Sequence, residues 1–368
     1  MRKYKITLIN AQNLNDTLVI LTPGFPKDET DTACFPFLQE FIIELNEQFP
    51  GLKVEIMAFD YPLFNKTYQW NKNEIISFNG WKKRNFKKIY KWMLIWRKLK
   101  RIKRSRKIIG LLSLWCGECA YMGNRFAKRN NLPHFCWIQG QDAKKDNKYV
   151  SRIKPLSEEL IAISDFNQNE FEKNHSLRPN HVIPAGIKPP DFLTGDTIRD
   201  IDILGVGSLI PLKQYHLFIE IIYKIKQVFP EIKAVLCGKG PEEEKLKKAI
   251  VNYKLQDNIE LTGELPHEKI LALMKRGKVF LHTSNYEGFS VACLEALSCG
   301  CHTISFIKPM QYDIDQWHIV QTIDEMTETT ISVLTNPETA YKPVLPFTVR
   351  ESVKSILQLY NYRDSIIS

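Results

Sequence analysis

One stretch, Lys278 to Phe306 (KVFLHTSNYEGFSVACLEALSCGCHTISF), restricts the fold of this 368-residue chain more than any other. Val279 to His282 is an apolar, β-branched run of buried-strand length. Ser284-Asn285-Tyr286-Glu287-Gly288 then breaks regular structure. Ser290 is a good N-cap, and Val291, Leu294 and Leu297 recur on one side of a helix that Gly300 stops. His302 to Phe306 reads as the next strand. A strand, a loop, a helix and a second strand in so short a span belong to a parallel sheet wrapped by helices.

The same unit suits a phosphate-bearing ligand. A helix start presents free N–H groups and a positive dipole end. Gly288 lets backbone approach a ligand with no Cβ in the way. Glu295, inside the helix, can accept two hydrogen bonds from a ribose diol, and Glu287, before it, can hold sugar hydroxyls. Taken alone, two carboxylates eight residues apart also fit two solvated surface acids.

The surrounding chain repeats the pattern. In the second half, strands are predicted at Ile203–Val206, Ala234–Cys237, Ile259–Thr262, Val279–His282 and Thr303–Phe306. Helices are predicted at Gln214–Phe229, Glu242–Tyr253, Pro266–Lys275 and Val291–Ser298. The first half alternates less cleanly. Strands are expected at Lys5–Asn10, Thr17–Thr22, Val54–Phe59, Glu74–Phe78, Ile108–Leu114, His134–Ile138 and Leu160–Ser164. Helices are expected at Ala33–Phe49, Tyr121–Arg129 and Asn167–Lys173. Val182 to Asp200, rich in Pro, Gly and polar residues, reads as a linker. The expected fold class is therefore α/β, with two Rossmann-like domains facing across a cleft at the carboxyl ends of their strands. They span residues 1–188 and 189–345, and a C-terminal helical segment, 346–368, is expected to pack back on the first.

Charge is concentrated in one place. Between Trp81 and Lys107 there are 14 Lys or Arg and no acid, so the formal net charge of +10 arises entirely here. Tyr90, Met93, Trp96 and Leu99 recur among these bases at helical intervals. A helix over 81–107 can thus lie on an anionic membrane surface; the alternative is a surface helix whose apolar stripe packs on its own domain. Nucleic acid is not expected as a partner, because no recognised binding motif accompanies the charge. No apolar run reaches membrane-spanning length and the N-terminus lacks a secretory pattern, so a cytoplasmic protein, peripheral on the inner face of the membrane, is expected. The eight cysteines then read as reduced and buried, although Cys116-Gly117-Glu118-Cys119 has the spacing of a redox dithiol.

Several fragments together resemble the group 1, family 4 glycosyltransferases of the GT-B fold. GVGSLIPLKQYHLFIE (205–220), VLCGKGPEEEKL (235–246), LTGELPHEKILALM (261–274) and HTSNYEGFSVACLEALSCG (282–300) are similar to successive family blocks, in order. LTPGFP (21–26), IQGQD (138–142), LIAIS (160–164) and VIPAGI (182–187) resemble the family more loosely. Glu287 and Glu295 form the family's E-x7-E pattern.

The resemblance implies retaining transfer of a sugar from a nucleotide-sugar, UDP- or GDP-linked, to an acceptor hydroxyl in cell-surface polysaccharide or glycolipid biosynthesis. The acceptor would be a glycan or lipid-linked molecule, with no metal and no cofactor beyond the donor. Glu287 and Lys213 would be catalytic, with Lys213 on the diphosphate. Glu295 would hold the ribose, and Gly288, Phe289 and Ser290 would supply backbone N–H groups. Gly207 and Ser208 would border the diphosphate, Glu264 and Leu265 the base, and Gly24 would close over the donor from the first domain. Gln139 and Asp142 would lie on the acceptor or sugar side. Ser208 stands where the family usually has arginine, Gln139 where it often has histidine, and Ser290 where it has a third glycine-like residue. Lys239 is a candidate replacement cation. Other readings are a catalytically silent nucleotide-sugar-binding or membrane scaffold protein, and a retaining glycosidase, which would need its two carboxylates about 5 Å apart across the sugar.

Overall fold

The computed structural model describes residues 16–32, 34–80, 85–188 and 198–362. Its first domain runs β1 (Asp16–Gly24), α1 (Pro36–Gln48), β2 (Lys53–Tyr61), β3 (Thr67–Trp70), β4 (Asn73–Ser77), α2 (Asn85–Ser105), β5 (Lys107–Leu114), α3 (Glu118–Asn130), β6 (His134–Ile138), α4 (Lys148–Ile153), β7 (Leu160–Ala162), α5 (Asp165–His175) and β8 (His181–Val182). The strands form one sheet in the order β3-β4-β2-β1-β5-β6-β7-β8, parallel apart from the β3–β4 pair. β1 lies inside it, and Leu18, Val19, Ile20 and Leu21 are all fully buried. A strand covered by helices on both faces has no wet side, so its sequence is an unbroken apolar run.

The second domain runs β9 (Ile201–Val206), α6 (Tyr215–Lys226), β10 (Ala234–Cys237), α7 (Glu243–Asn252), β11 (Ile259–Gly263), α8 (His267–Arg276), β12 (Gly277–His282), α9 (Val291–Ser298), β13 (His302–Ser305), β14 (Trp317–Ile319), α10 (Ile323–Thr335) and α11 (Val349–Leu359). Its sheet, β11-β10-β9-β12-β13-β14, is parallel throughout. This is the doubly wound order, and the progression of strands reverses between β9 and β12. Loops 207–214 and 283–290 leave the sheet side by side at that switch point, where ligands of such folds bind.

α11 does not stay with the sheet it follows. Thr348 bridges Ile187, Ser352 Oγ donates to Pro184 O at 2.7 Å, and Tyr360 OH donates to Leu111 O at 2.8 Å. The last described helix therefore packs on the first domain. A Cβ on Gly110 would meet the Tyr360 ring at 2.3 Å, so a side chain there would displace it.

The basic segment 81–107 maps onto α2, with 81–84 outside the described residues. Its inward line is Lys91, Ile95, Leu99 and Ile102, all buried, rather than the expected Tyr90, Met93, Trp96 and Leu99. Leu99 is in the core and Trp96 packs edge-on against Phe126, while Ile89, Tyr90 and Met93 are exposed. What turns the helix is Lys91. Its ammonium sits 2.9 Å from Glu118 Oε1 and 3.1 Å from Asp60 Oδ1, with Trp92 Nε1 donating to Glu118 Oε1 at 2.6 Å. A buried cation is tolerated only when paired, and this one has two partners.

The predicted strand Lys5–Asn10 also lies outside the described residues. All eight cysteines are free, and Cys116 and Cys119 are buried. Burial pushes the Cys119 thiol well above its ordinary range, which removes the thiolate a redox dithiol requires. Cys116-Gly117-Glu118-Cys119 is the turn from β5 into α3.

Candidate active site at the interdomain cleft

Glu287, Lys213 and His282 converge at the carboxyl end of β12. Lys213 Nζ donates to Glu287 Oε2, and Thr283 Oγ1 donates to Lys213 O at 2.7 Å, tying the two loops together. His282, the last residue of β12, brings Nε2 to 3.5 Å from Glu287 Oε2, without the alignment of a hydrogen bond. Burial opposes the charge on Glu287, yet His282 and Lys213 together hold its carboxyl down at about 2. Burial lowers the pKa of His282, and Glu287 beside it works the other way.

Gly288 follows at once, and its backbone lies against the loop after β6 of the first domain. A Cβ there would lie 2.2 Å from Gln139 O and 2.7 Å from Gly140 Cα. Its carbonyl accepts from Ser164 Oγ at 2.5 Å, and Tyr286 OH donates to Gly140 O at 3.0 Å. Phe289 is buried against Trp317 and Phe347. Ser290 caps α9, accepting from Cys293 N at 3.3 Å.

A second group lines a cavity of about 200 Å³ between the domains. Gly207, Ser208, Glu264 and Leu265 are in its wall, as are Lys239 and His267. Thr32 and Pro36 close it from the first domain, at the end of the loop that starts after Gly24. Gly24 itself packs against Phe35 and Tyr61. Gly207 has φ +153, a conformation that side chains resist, and a Cβ would meet Tyr215 OH at 2.7 Å. Ser208 leaves this wall without a cation of its own, and exposed Lys239 stands in the same wall.

Glu295 reaches the cavity through His267, whose Nε2 lies 2.7 Å from Glu295 Oε1. Asp142 is placed differently from an acceptor-facing acid. Its carboxylate accepts from Cys116 N at 2.7 Å, Gly140 N at 2.8 Å and Gln139 N at 3.1 Å, so it shapes the loop that carries Gln139. Gln139 turns back on its own strand, Nε2 to Trp137 O at 3.4 Å. Sequence reasoning did not single out His267, His282, Ser164 or Thr32. The two histidines stood inside quoted blocks, but an isolated histidine carries no mark of its partner. Among the described residues, no group of three or more His, Cys, Asp or Glu is placed to share a metal ion.

Residues 198–340 match the family described as Glycosyl transferases group 1. A phosphatidylinositol N-acetylglucosaminyltransferase component from Arabidopsis thaliana is 33% identical over 127 residues, 34% of this chain and 28% of that protein. The chain thus aligns with under a third of that relative's length. Among solved structures, sucrose-phosphate synthase from Thermosynechococcus elongatus superposes with TM-score 0.68 over 94% of this chain and 96% of its own, at 14% identity. HepE from Anabaena, in complex with UDP and glucose, superposes with TM-score 0.66 over 94% and 99%, at 13% identity. At such identities these structures share the two-domain fold.

Proposed function

We propose, from the premise that residues 198–340 belong to the group 1 glycosyl transferases, that the protein moves a sugar from a nucleotide-sugar to an acceptor hydroxyl with retention at the sugar carbon. The observation that carries this reading is the adjacency, at one switch point, of a half-buried Lys213–Glu287 pair and a cavity walled by Gly207, Ser208, Glu264 and Leu265. Transfer leaves a nucleoside diphosphate, so the site must stabilise negative charge as the bond to the sugar breaks. Lys213 supplies a cation, Lys239 a second near Ser208, and the start of α9 its free N–H groups. Glu287, ionised, is suited to hydroxyls of the sugar and to positive charge growing on it. UDP is favoured as the carrier, since HepE is seen with UDP and glucose and the plant relative is named for N-acetylglucosamine transfer.

A thermal-shift screen with UDP-, GDP- and ADP-sugars tests donor binding. A ligand at 100 times its Kd stabilises the fold by about 2.7 kcal/mol. Formation of free nucleoside diphosphate from the same compounds then tests turnover. A shift without turnover would identify a silent sugar-nucleotide binder; no shift with any of them would refute the donor site.

An acceptor carried by lipid fits the first domain, and its name places the plant relative's acceptor on phosphatidylinositol. α2 and α3 flank a groove of about 900 Å³, with Ile89, Trp92, Met93 and Trp96 as apolar lining. Arg97, Lys100, Arg125, Lys128 and Arg129 also line it, and among the described residues no acid does. Each base near an anionic surface adds about 1 kcal/mol to association. Changing these five bases to Gln is expected to abolish salt-sensitive binding to phosphatidylserine vesicles and to leave nucleotide binding intact. Undiminished vesicle binding would refute the membrane role. Among the described residues no helix is long and apolar enough to cross a membrane.

A further inference from the structure

Glu295 is not presented to the cleft alone. His267, the first residue of α8, holds its Oε1 at 2.7 Å and lines the same cavity as Gly207 and Glu264. The first domain adds a third member. Glu40 on α1 faces this pair, and its carboxyl is pushed up by burial and by the negative charge of Glu295. Lys188 N lies 3.4 Å from Glu40 Oε2. The charged groups facing the imidazole are therefore Glu295 from α9, Glu40 from α1 and Glu268 from α8 itself.

That arrangement has a problem and a solution in one place. Closing the domains brings two half-buried carboxylates toward each other, and like charges in such a setting repel strongly. A cationic imidazole bonded to Glu295 offsets that repulsion. The bond to Glu295 comes first among the causes that raise the pKa of His267. The same bond fixes one carboxylate oxygen, and no described residue hydrogen-bonds the other.

We propose that His267 is a positioning residue of the donor site: it clamps Glu295 by Oε1, leaves Oε2 for the ribose diol of a nucleoside diphosphate, and offsets Glu295 against Glu40 when the domains meet. The proposal rests on the donor-site reading above and adds to it a residue, a ribose-directed specificity and a pH dependence. As pH rises through the raised pKa of His267, the imidazole loses its charge, the two carboxylates are no longer offset, and ribose binding weakens.

Calorimetric titration with UDP, GDP and ADP and their 2′-deoxy counterparts, from about pH 5 to about pH 8.5, tests it. For the ribonucleotide that binds best, His267→Phe is expected to weaken binding about tenfold, the effect of losing one charge-assisted hydrogen bond. The 2′-deoxy compound should lose much less. His267→Gln keeps an N–H donor, so it is expected to recover most of the affinity and to flatten the pH profile. If His267→Phe binds like the parent while Glu295→Gln does not, the role of His267 is refuted and the donor site stands. Equal losses for ribo and deoxy compounds in His267→Phe would also refute it. If none of the nucleotides binds the parent, or Glu295→Gln binds as the parent does, the donor-site reading fails and this inference with it.

Discussion

Lys213→Ala is expected to lower turnover of the nucleotide-sugar by about 10²- to 10³-fold, the usual cost of removing one group that stabilises transition-state charge. The loss should fall on kcat more than on KM, because the charge on the leaving diphosphate grows only as the sugar departs. A second effect accompanies it. Glu287 is half-buried and ionised, with a carboxyl held down at about 2 by His282 and Lys213 against the effect of burial. A depressed carboxyl stabilises the fold above its ordinary value, and that contribution is lost as pH falls through the folded pKa. In the parent the loss is therefore complete only near about pH 2. Without Lys213 the folded pKa rises, so acid unfolding is expected at higher pH. Steady-state kinetics and an acid titration followed by circular dichroism measure the two. A variant that turned over substrate like the parent would remove Lys213 from the chemistry.

The largest loss of stability is expected from Lys91→Ala, roughly 1–3 kcal/mol, the cost of removing a charged partner from part-buried acids. Burial works against the Lys91 charge, and Glu118 with Asp60 outweighs it. Removing the ammonium takes the nearest cation from two part-buried acids under α2, while Trp92 still donates to Glu118 and Lys88 stays 3.8 Å from it. Lys100→Ala, at an exposed position of the same helix, serves as the control and should change stability by no more than about 0.5 kcal/mol. Urea unfolding of both variants decides it: equal midpoints would show that the buried pairs contribute nothing net.

Lys91 also marks where sequence reasoning stops. A lysine among fourteen bases reads as solvated, and the stripe through Tyr90, Met93 and Trp96 reads as the apolar face. Asp60 and Glu118, 31 and 27 residues away in sequence, hold Lys91 on the inward line with buried Ile95, Leu99 and Ile102. Where pairing is local or the strand is buried on both faces, the sequence was legible. Ala234–Cys237, His134–Ile138 and Val291–Ser298 have the bounds expected of them. β3 was missed because Thr67–Trp70 is an edge strand with alternating exposure and only four residues. β14 is shorter still, and it extends the sheet by pairing with β13. At the site, Glu287 with Lys213 and Gly207 with Glu264 were legible as groups through the resemblance of the fragments that carry them, although Lys213 and Glu287 stand 74 residues apart. Gly140 against Gly288 and His267 on Glu295 were not, since neither glycine nor an isolated histidine carries a mark of the residue it meets across the fold.

The return of α11 to the first domain has a mechanical outcome. The polypeptide leaves the first lobe after Lys188 and comes back before Thr348, and Ile187 bridges Thr348. A pair of tethers anchored next to each other resists twisting and sliding but permits bending about the anchor, like the spine of a book. Cutting one tether, by an engineered protease site between Asn336 and Thr348, should let the lobes pivot freely and broaden their spacing in small-angle scattering.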